Sequence, residues 1–385
     1  MIRFSVLRAL RWLAFVAVIG VVALLVSQTW RFSDEIRREL LTPPTALAGS
    51  GVEVLAVGRG TIVLPATDQT AAVGTYPVRW GGGNGELGPI LENDGVQITR
   101  TFTVVGGDLA AGTTLEIGGA VGDTPQDIGI DYSDVFIESE LGPLPAWQVD
   151  GQDDTWIIYA HDFGSGARSD SLDVLPVLVA QGFPVIVPTM RNDIGAPSSE
   201  DGLVHWGFEE WLDLESALIY ARANGAEDIV LMGKGMGAQS AALLVQESRE
   251  VRRVIGLIFD SPTLDLAEAE ELRSSDSTTP SFIRSWGRSL ASARFGVEWA
   301  RLDQLSQTDR FRAPILILHG SADGVAPVAV SDAFAEALPD IVTYVRILDG
   351  THEGLRNTDS ERYDEAVGGF LSAVAAGPAS SVSAP

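Results

Sequence analysis

The sequence predicts an α/β protein: a mostly parallel, doubly wound sheet, preceded by one transmembrane helix and a small β-rich region. Three observations carry that expectation. No charged residue occurs between Trp12 and Trp30. From Gly51 the chain is rich in glycine, valine and threonine, and its apolar residues follow a period of two. From about Thr155 short apolar runs alternate with helix-period segments, which is how βαβ units read. The expected organisation is a basic segment at 1–11, an anchor at 12–30, a linker at 31–50, a β-rich region at 51–150, an α/β domain at 151–375 and a disordered tail at 376–385. Within the α/β domain, 263–312 is a possible lid insertion.

The apolar run comes first. Nineteen helical residues span about 28 Å, close to the hydrocarbon thickness of a bilayer. Trp12 and Trp30 stand at its ends, where indoles favour the interface. A cleaved signal peptide is the alternative, but no small-x-small cleavage site follows Val26. Arg3, Arg8 and Arg11 before the run are balanced by Arg31, Arg37 and Arg38 after it, so the positive-inside rule barely votes. The expectation is a single-pass membrane protein with its bulk outside the cytoplasm.

In the β-rich region VQITRTFTVV sets Val96, Ile98, Phe102 and Val104 on one side, with Arg100 the exception. The α/β domain offers the runs TWIIYA, PVIVPT, DIVLMG, VIGLIFD, APILILH and VTYVRIL. Among them FEEWLDLESALIYARANG spaces Trp211, Leu214, Ala217, Leu218 and Ala221 as a helix closed by Gly225.

Composition removes some functions. A net charge of −26 repels phosphate backbones, and no basic patch reverses it, so nucleic acid is not an expected partner. Without cysteine there is no thiol catalysis, disulfide or thiolate metal site. His161, His319 and His352 lack compact ligand spacing, so no metal is expected. The single lysine, Lys234, reads as an exposed turn residue.

Ligands in such sheets bind beyond the carboxyl ends of the strands. Those ends read His161-Asp162-Phe163-Gly164, Gly233-Lys234-Gly235-Met236-Gly237, His319-Gly320-Ser321-Ala322-Asp323 and Asp349-Gly350-Thr351-His352. Three of them match a nucleophile elbow followed in chain order by an acid and a histidine, with backbone N–H groups for an oxyanion. On these residues the chain resembles the α/β-hydrolase family, and more closely the membrane-anchored α/β hydrolases of actinobacteria. LGPLPAW (141–147), RNDIGAP (191–197), HGSADGVAP (319–327) and SERYDEAVGGFL (360–371) extend the likeness over nearly the whole chain. The resemblance implies ancestry among serine ester or peptide hydrolases, without a cofactor. It implies Asp323 as triad acid, His352 as triad base, and His161, Asp162, Phe163, Gly164 and the Met236 N–H around the oxyanion.

The nucleophile would be residue 235, serine in relatives and glycine here. Relatives commonly carry His-Gly-x-Gly where this chain has His-Asp-Phe-Gly, which puts the Asp162 carboxylate near developing negative charge. Weak hydrolysis by a His352-activated water, or none, is therefore expected. One alternative is a non-catalytic binding or scaffold protein that holds an ester- or peptide-like molecule in the old pocket. Another reads Gly233, Gly235 and Ala238 as a G-x-G-x-x-A dinucleotide turn, with Lys234 adding positive charge and Asp260 ending the next strand. Against it, two strands precede the turn, and Asp323 and His352 have no purpose in that scheme.

Overall fold

The computed structural model describes residues 2–44, 51–118, 123–163 and 168–377. Gly164, positions 45–50 of the expected linker and the expected tail from 378 onward lie outside the described residues. Two compact units are present, residues 1–42 with 274–299, and 43–273 with 300–385.

Helix α1 (Ile2–Ile36) runs past the expected end at Trp30 and closes in a π turn, Arg37–Leu41. It is long and apolar enough to cross a membrane, and residues 11–24 are not covered by protein.

The β-rich region forms one antiparallel sheet from β1 (Val52–Glu53), β2 (Ala56–Val57), β3 (Thr61–Pro65), β4 (Tyr76–Trp80), β5 (Gly83–Asn93), β6 (Gln97–Gly106) and β7 (Thr114–Ile117), in the order β1-β7-β4-β5-β6-β3-β2. A one-turn helix, α2 (Asp68–Ala71), sits between β3 and β4. Alternate residues are buried on one face: Ile62 and Leu64, Val78 and Trp80, Ile98 and Phe102. Arg100 belongs to that same buried face. Its guanidinium donates to the carbonyl oxygens of Gly88 (2.7 Å), Thr70 (3.0 Å), Ala72 (2.7 Å) and Gly74 (2.6 Å) and lies over the Tyr76 ring. Four acceptors replace its lost water. Val96 and Val104 are instead exposed, so the buried stripe is shorter than the alternation predicts.

The second sheet takes in β8 (Ser133–Ser139), β9 (Gly142–Val149), β10 (Thr155–Ala160), β11 (Val185–Pro188), β12 (Asp228–Lys234), β13 (Val254–Asp260), β14 (Ile315–Gly320) and β15 (Val342–Ile347). Their order is β15-β14-β13-β12-β10-β11-β9-β8. The six strands from β10 to β15 are parallel and coincide with the six apolar runs. The hairpin β8–β9, expected in the β-rich region, joins this sheet through antiparallel pairing of β9 with β11. Its alternating pattern is that of an antiparallel edge, which composition alone cannot assign to either sheet. Helices α3 (Leu175–Ala180), α4 (Trp211–Ala223), α5 (Met236–Glu247), α6 (Leu266–Arg273), α7 (Ser281–Phe295), α8 (Val328–Ala337), α9 (Leu355–Thr358) and α10 (Ser360–Ala375) complete the order. Helix α4 buries Leu214, Ala217, Leu218 and Ala221; Asn224 caps it and Gly225 follows at φ +108°. The strand order reverses between the parallel neighbours β10 and β12, so their C-terminal ends open a crevice where α5 begins.

Residues 274–299, from the middle of the expected lid, belong to the unit of α1. There α7 packs along α1: a Cβ on Gly287 would meet the Phe32 ring, and Arg294 pairs with Asp34 at 2.7 Å.

Candidate active site

The turn between β12 and α5 is tight. Gly235 holds φ +49°, ψ −111°, a conformation that strains any residue with a Cβ. At Gly237 the backbone of Ala160 passes so closely that a Cβ would stand 2.1 Å from its carbonyl oxygen. This packing locks the start of α5 against the end of β10. It brings Asp162, two residues past β10, onto the first turn of α5.

Asp162 is buried, and its two oxygens have different partners. Oδ1 accepts the Met236 N–H at 2.7 Å, and Oδ2 accepts the His352 Nε2–H at 3.2 Å. The other nitrogen of that imidazole, Nδ1, donates to Asp323 Oδ2 at 2.8 Å. Asp323 Oδ2 also receives His319 Nε2 at 3.0 Å, while Oδ1 accepts the N–H groups of Val325 and Ala326, each at 2.8 Å. The result is a linear Asp162–His352–Asp323 chain across three loops of the sheet.

Electrostatics follow from that sandwich. Burial opposes the charge on His352, but hydrogen bonds to Asp162 and Asp323 override it and raise its pKa well above the ordinary histidine value. Burial likewise opposes ionisation of Asp162, yet the His352 bond, its charge and the Met236 N–H hold that carboxyl down at about 2. Asp323 is depressed as well, by His319 and His352 working against burial. At neutral pH the chain is carboxylate, imidazolium, carboxylate. An imidazolium has no lone pair with which to take a proton.

The predicted oxyanion loop is assembled only in part. His161 is buried and turned away, donating from Nε2 to Asp193 Oδ2 at 2.7 Å and from Nδ1 to the Asp162 carbonyl at 2.9 Å. Burial pulls its pKa down, but the charge of Asp193 raises it to about 9. Phe163 stacks on Trp206 at 5.2 Å.

Lys234 is corrected from an exposed turn residue to a buried cation, because β12 carries it into the polar core behind the elbow. Its Nζ lies 3.0 Å from Asp170 Oδ1 and 2.6 Å from Glu353 Oε2. Burial lowers its pKa, and these carboxylates push it well above the usual value. A cavity of about 20 Å³ adjoins it, lined also by Tyr159, Asp173 and Asp260, with room for about one water. Asp260 is not available to a ribose: Tyr363 Oη donates to it at 2.6 Å. With Asp162 already on the Met236 N–H, the dinucleotide alternative loses its anion site.

Asp170, Asp173, Asp193 and Glu353 are the residues that sequence reasoning overlooked. Glu353 follows His352 directly, and Asp193 lies inside RNDIGAP, so position was a signal for both. Asp162, His352 and Glu353 also bring ligand atoms within 4.8 Å of one another. Glu353 is committed to Lys234 and the His352 Nε2 proton to Asp162, so a cation would have to displace both, and nothing in the arrangement asks for one.

Comparison with solved structures identifies the scaffold. An esterase from Pyrococcus furiosus superposes with a TM-score of 0.53 at 22% identity, covering 66% of this chain and 97% of the esterase. Two further crystal forms of that esterase give 0.53 and 0.52, also at 22% identity, each covering 66% of this chain and 95% and 96% of theirs. This chain carries the α/β-hydrolase fold. The fold class expected from the apolar runs is therefore borne out. A profile for a domain of unknown function (DUF8805) matches residues 53–118, the β-rich sheet. No curated protein matches the chain.

Proposed function

We propose that this is a membrane-anchored α/β-hydrolase-fold protein that has given up acyl-enzyme chemistry and acts by binding. Gly235 stands at the nucleophile position of the elbow, Asp323 and His352 at those of acid and base. The observation that carries the reading is the placement of Asp162. Its Oδ1 lies 1.9 Å from where a Cβ on Gly235 would be, so the carboxylate fills the volume a nucleophile side chain would need. It also takes the Met236 N–H, which hydrolases of this fold use for the oxyanion. One residue thus replaces nucleophile, occupies an oxyanion donor and keeps the histidine charged.

Hydrolysis by a His352-activated water is the weaker reading, since such a base must be neutral. The ligand class that suits the scaffold is a small ester or peptide-like molecule, held by a domain on the extracytoplasmic side of the anchor.

The test uses the full chain in nanodiscs, a fluorophosphonate probe and a nitrophenyl ester. The parent and Gly235→Ser are expected to stay unlabelled and silent, and Asp162→Gly/Gly235→Ser to label and turn over. Turnover by the parent that His352→Ala abolishes would overturn the proposal.

A further inference from the structure

From the packing of α7 on α1 we infer that the N-terminal half of α7 dips into a lipid bilayer and seats Phe282 and Trp286 in its surface layer; this rests on α1 being the anchor. Contacts within this unit fix the relative direction of the helices. A Cβ on Gly287 would meet Phe32, Arg294 pairs with Asp34, and the Arg37 guanidinium lies over the Phe295 ring. Residue numbers rise together along both helices, so they run parallel. At equal rise per residue, the Gly287–Phe32 and Arg294–Asp34 contacts together set Phe282 and Trp286 beside the stretch from about residue 22 to residue 31, and Arg294 reaches back to the Trp30 ring. That is the end of the apolar run, where a bilayer's headgroup region begins.

The side chains change with that depth. Ile283, Gly287 and Ala291 are buried, while the neighbouring stripe is exposed. Its N-terminal half carries two aromatic rings, Phe282 (46% exposed) and Trp286 (51%), edge to face at 5.3 Å. Its C-terminal half, farther from the apolar run, carries Ser289 and Ala293. Two exposed rings one turn apart cost free energy in water and gain it at an interface, where tryptophan concentrates. The helix also has three arginines and no acidic residue in a chain with twice as many acids as bases. That composition suits anionic headgroups.

The chain has no cysteine, so each introduced thiol is a unique label. Full-length chain carrying Ser285→Cys, Ala293→Cys or Val21→Cys receives a nitroxide and is placed in nanodiscs of phosphatidylcholine and phosphatidylglycerol. Ser285→Cys keeps both aromatic residues. Relaxation by oxygen, which concentrates in lipid, is compared with relaxation by a water-soluble nickel chelate. The expected ratio of oxygen to nickel relaxation is highest at Val21, and at Ser285 several-fold above that at Ala293. Equal ratios at Ser285 and Ala293 with Val21 in lipid would overturn the inference and leave the anchor standing. A water-exposed Val21 would overturn both.

Discussion

The Asp162 carboxylate and a side chain at residue 235 exclude one another: Oδ1 lies 1.9 Å from the point where a Cβ on Gly235 would stand. Gly235→Ala should therefore cost at least about 2 kcal/mol, combining backbone strain with the clash. In Asp162→Gly/Gly235→Ala the clash is gone and only strain remains. Urea denaturation of the four proteins should give a coupling of about 1–3 kcal/mol, and additive losses would show that the two positions do not meet.

His352 should remain protonated at pH values where an ordinary histidine is already neutral. Its raised pKa stabilises the fold in full below pH 6.5, and that contribution is lost as pH climbs through the folded value. Asp162 works at the other end: its contribution is full above pH 3.8 and is lost as pH falls toward about 2. Imidazole carbon–proton NMR shifts followed between pH 5 and 10 report the charge. Asp162→Asn should lower the His352 midpoint by at least about one unit, and an unchanged midpoint would remove Asp162 from the chain of charges.

Asp173 has the opposite sign. Burial raises its pKa to about 6, so it favours the fold below pH 3.8 and this contribution is lost as pH rises through 6. Asp173→Asn should raise stability at pH 7 by about 3 kcal/mol and lose most of that advantage at pH 4. Thermal melts at the two pH values decide it.

Lys234 should resist acylation. Its ammonium is buried and held by Asp170 and Glu353, leaving no free amine to react. Mass spectrometry after treatment with an acylating reagent should find Lys234 modified at least about tenfold faster in urea than in buffer. Comparable rates would mean that the cluster opens readily.

Much of the fold was legible because parallel strands buried on both faces must be apolar throughout. TWIIYA, DIVLMG and APILILH therefore stand out without any neighbour's help. The hairpin β8–β9 was misassigned because its alternation fits the edge of either sheet. Arg100 broke a stripe on paper and completes it in space, since its four carbonyl partners come from the β3–β4 connection and from β5. At the site, spacing brought out Gly235, Asp323 and His352. What it could not reach was their state of charge. That depends on Asp162 meeting His352 across most of the domain's length, and on acids such as Asp170 gathering around Lys234 from separate loops.

The pairing of α1 with α7 also sets an order of events during synthesis. α1 leaves the ribosome first, and its partner helix emerges only after the β-rich sheet and the strands up to β13 have been made. At roughly 5–20 residues per second, the first helix waits tens of seconds with Phe32 uncovered. A nascent chain arrested before Ser281 would thus hold a finished β-rich sheet beside an unmatched first helix. The cover over Phe32 would thus arrive long after the residue itself was made.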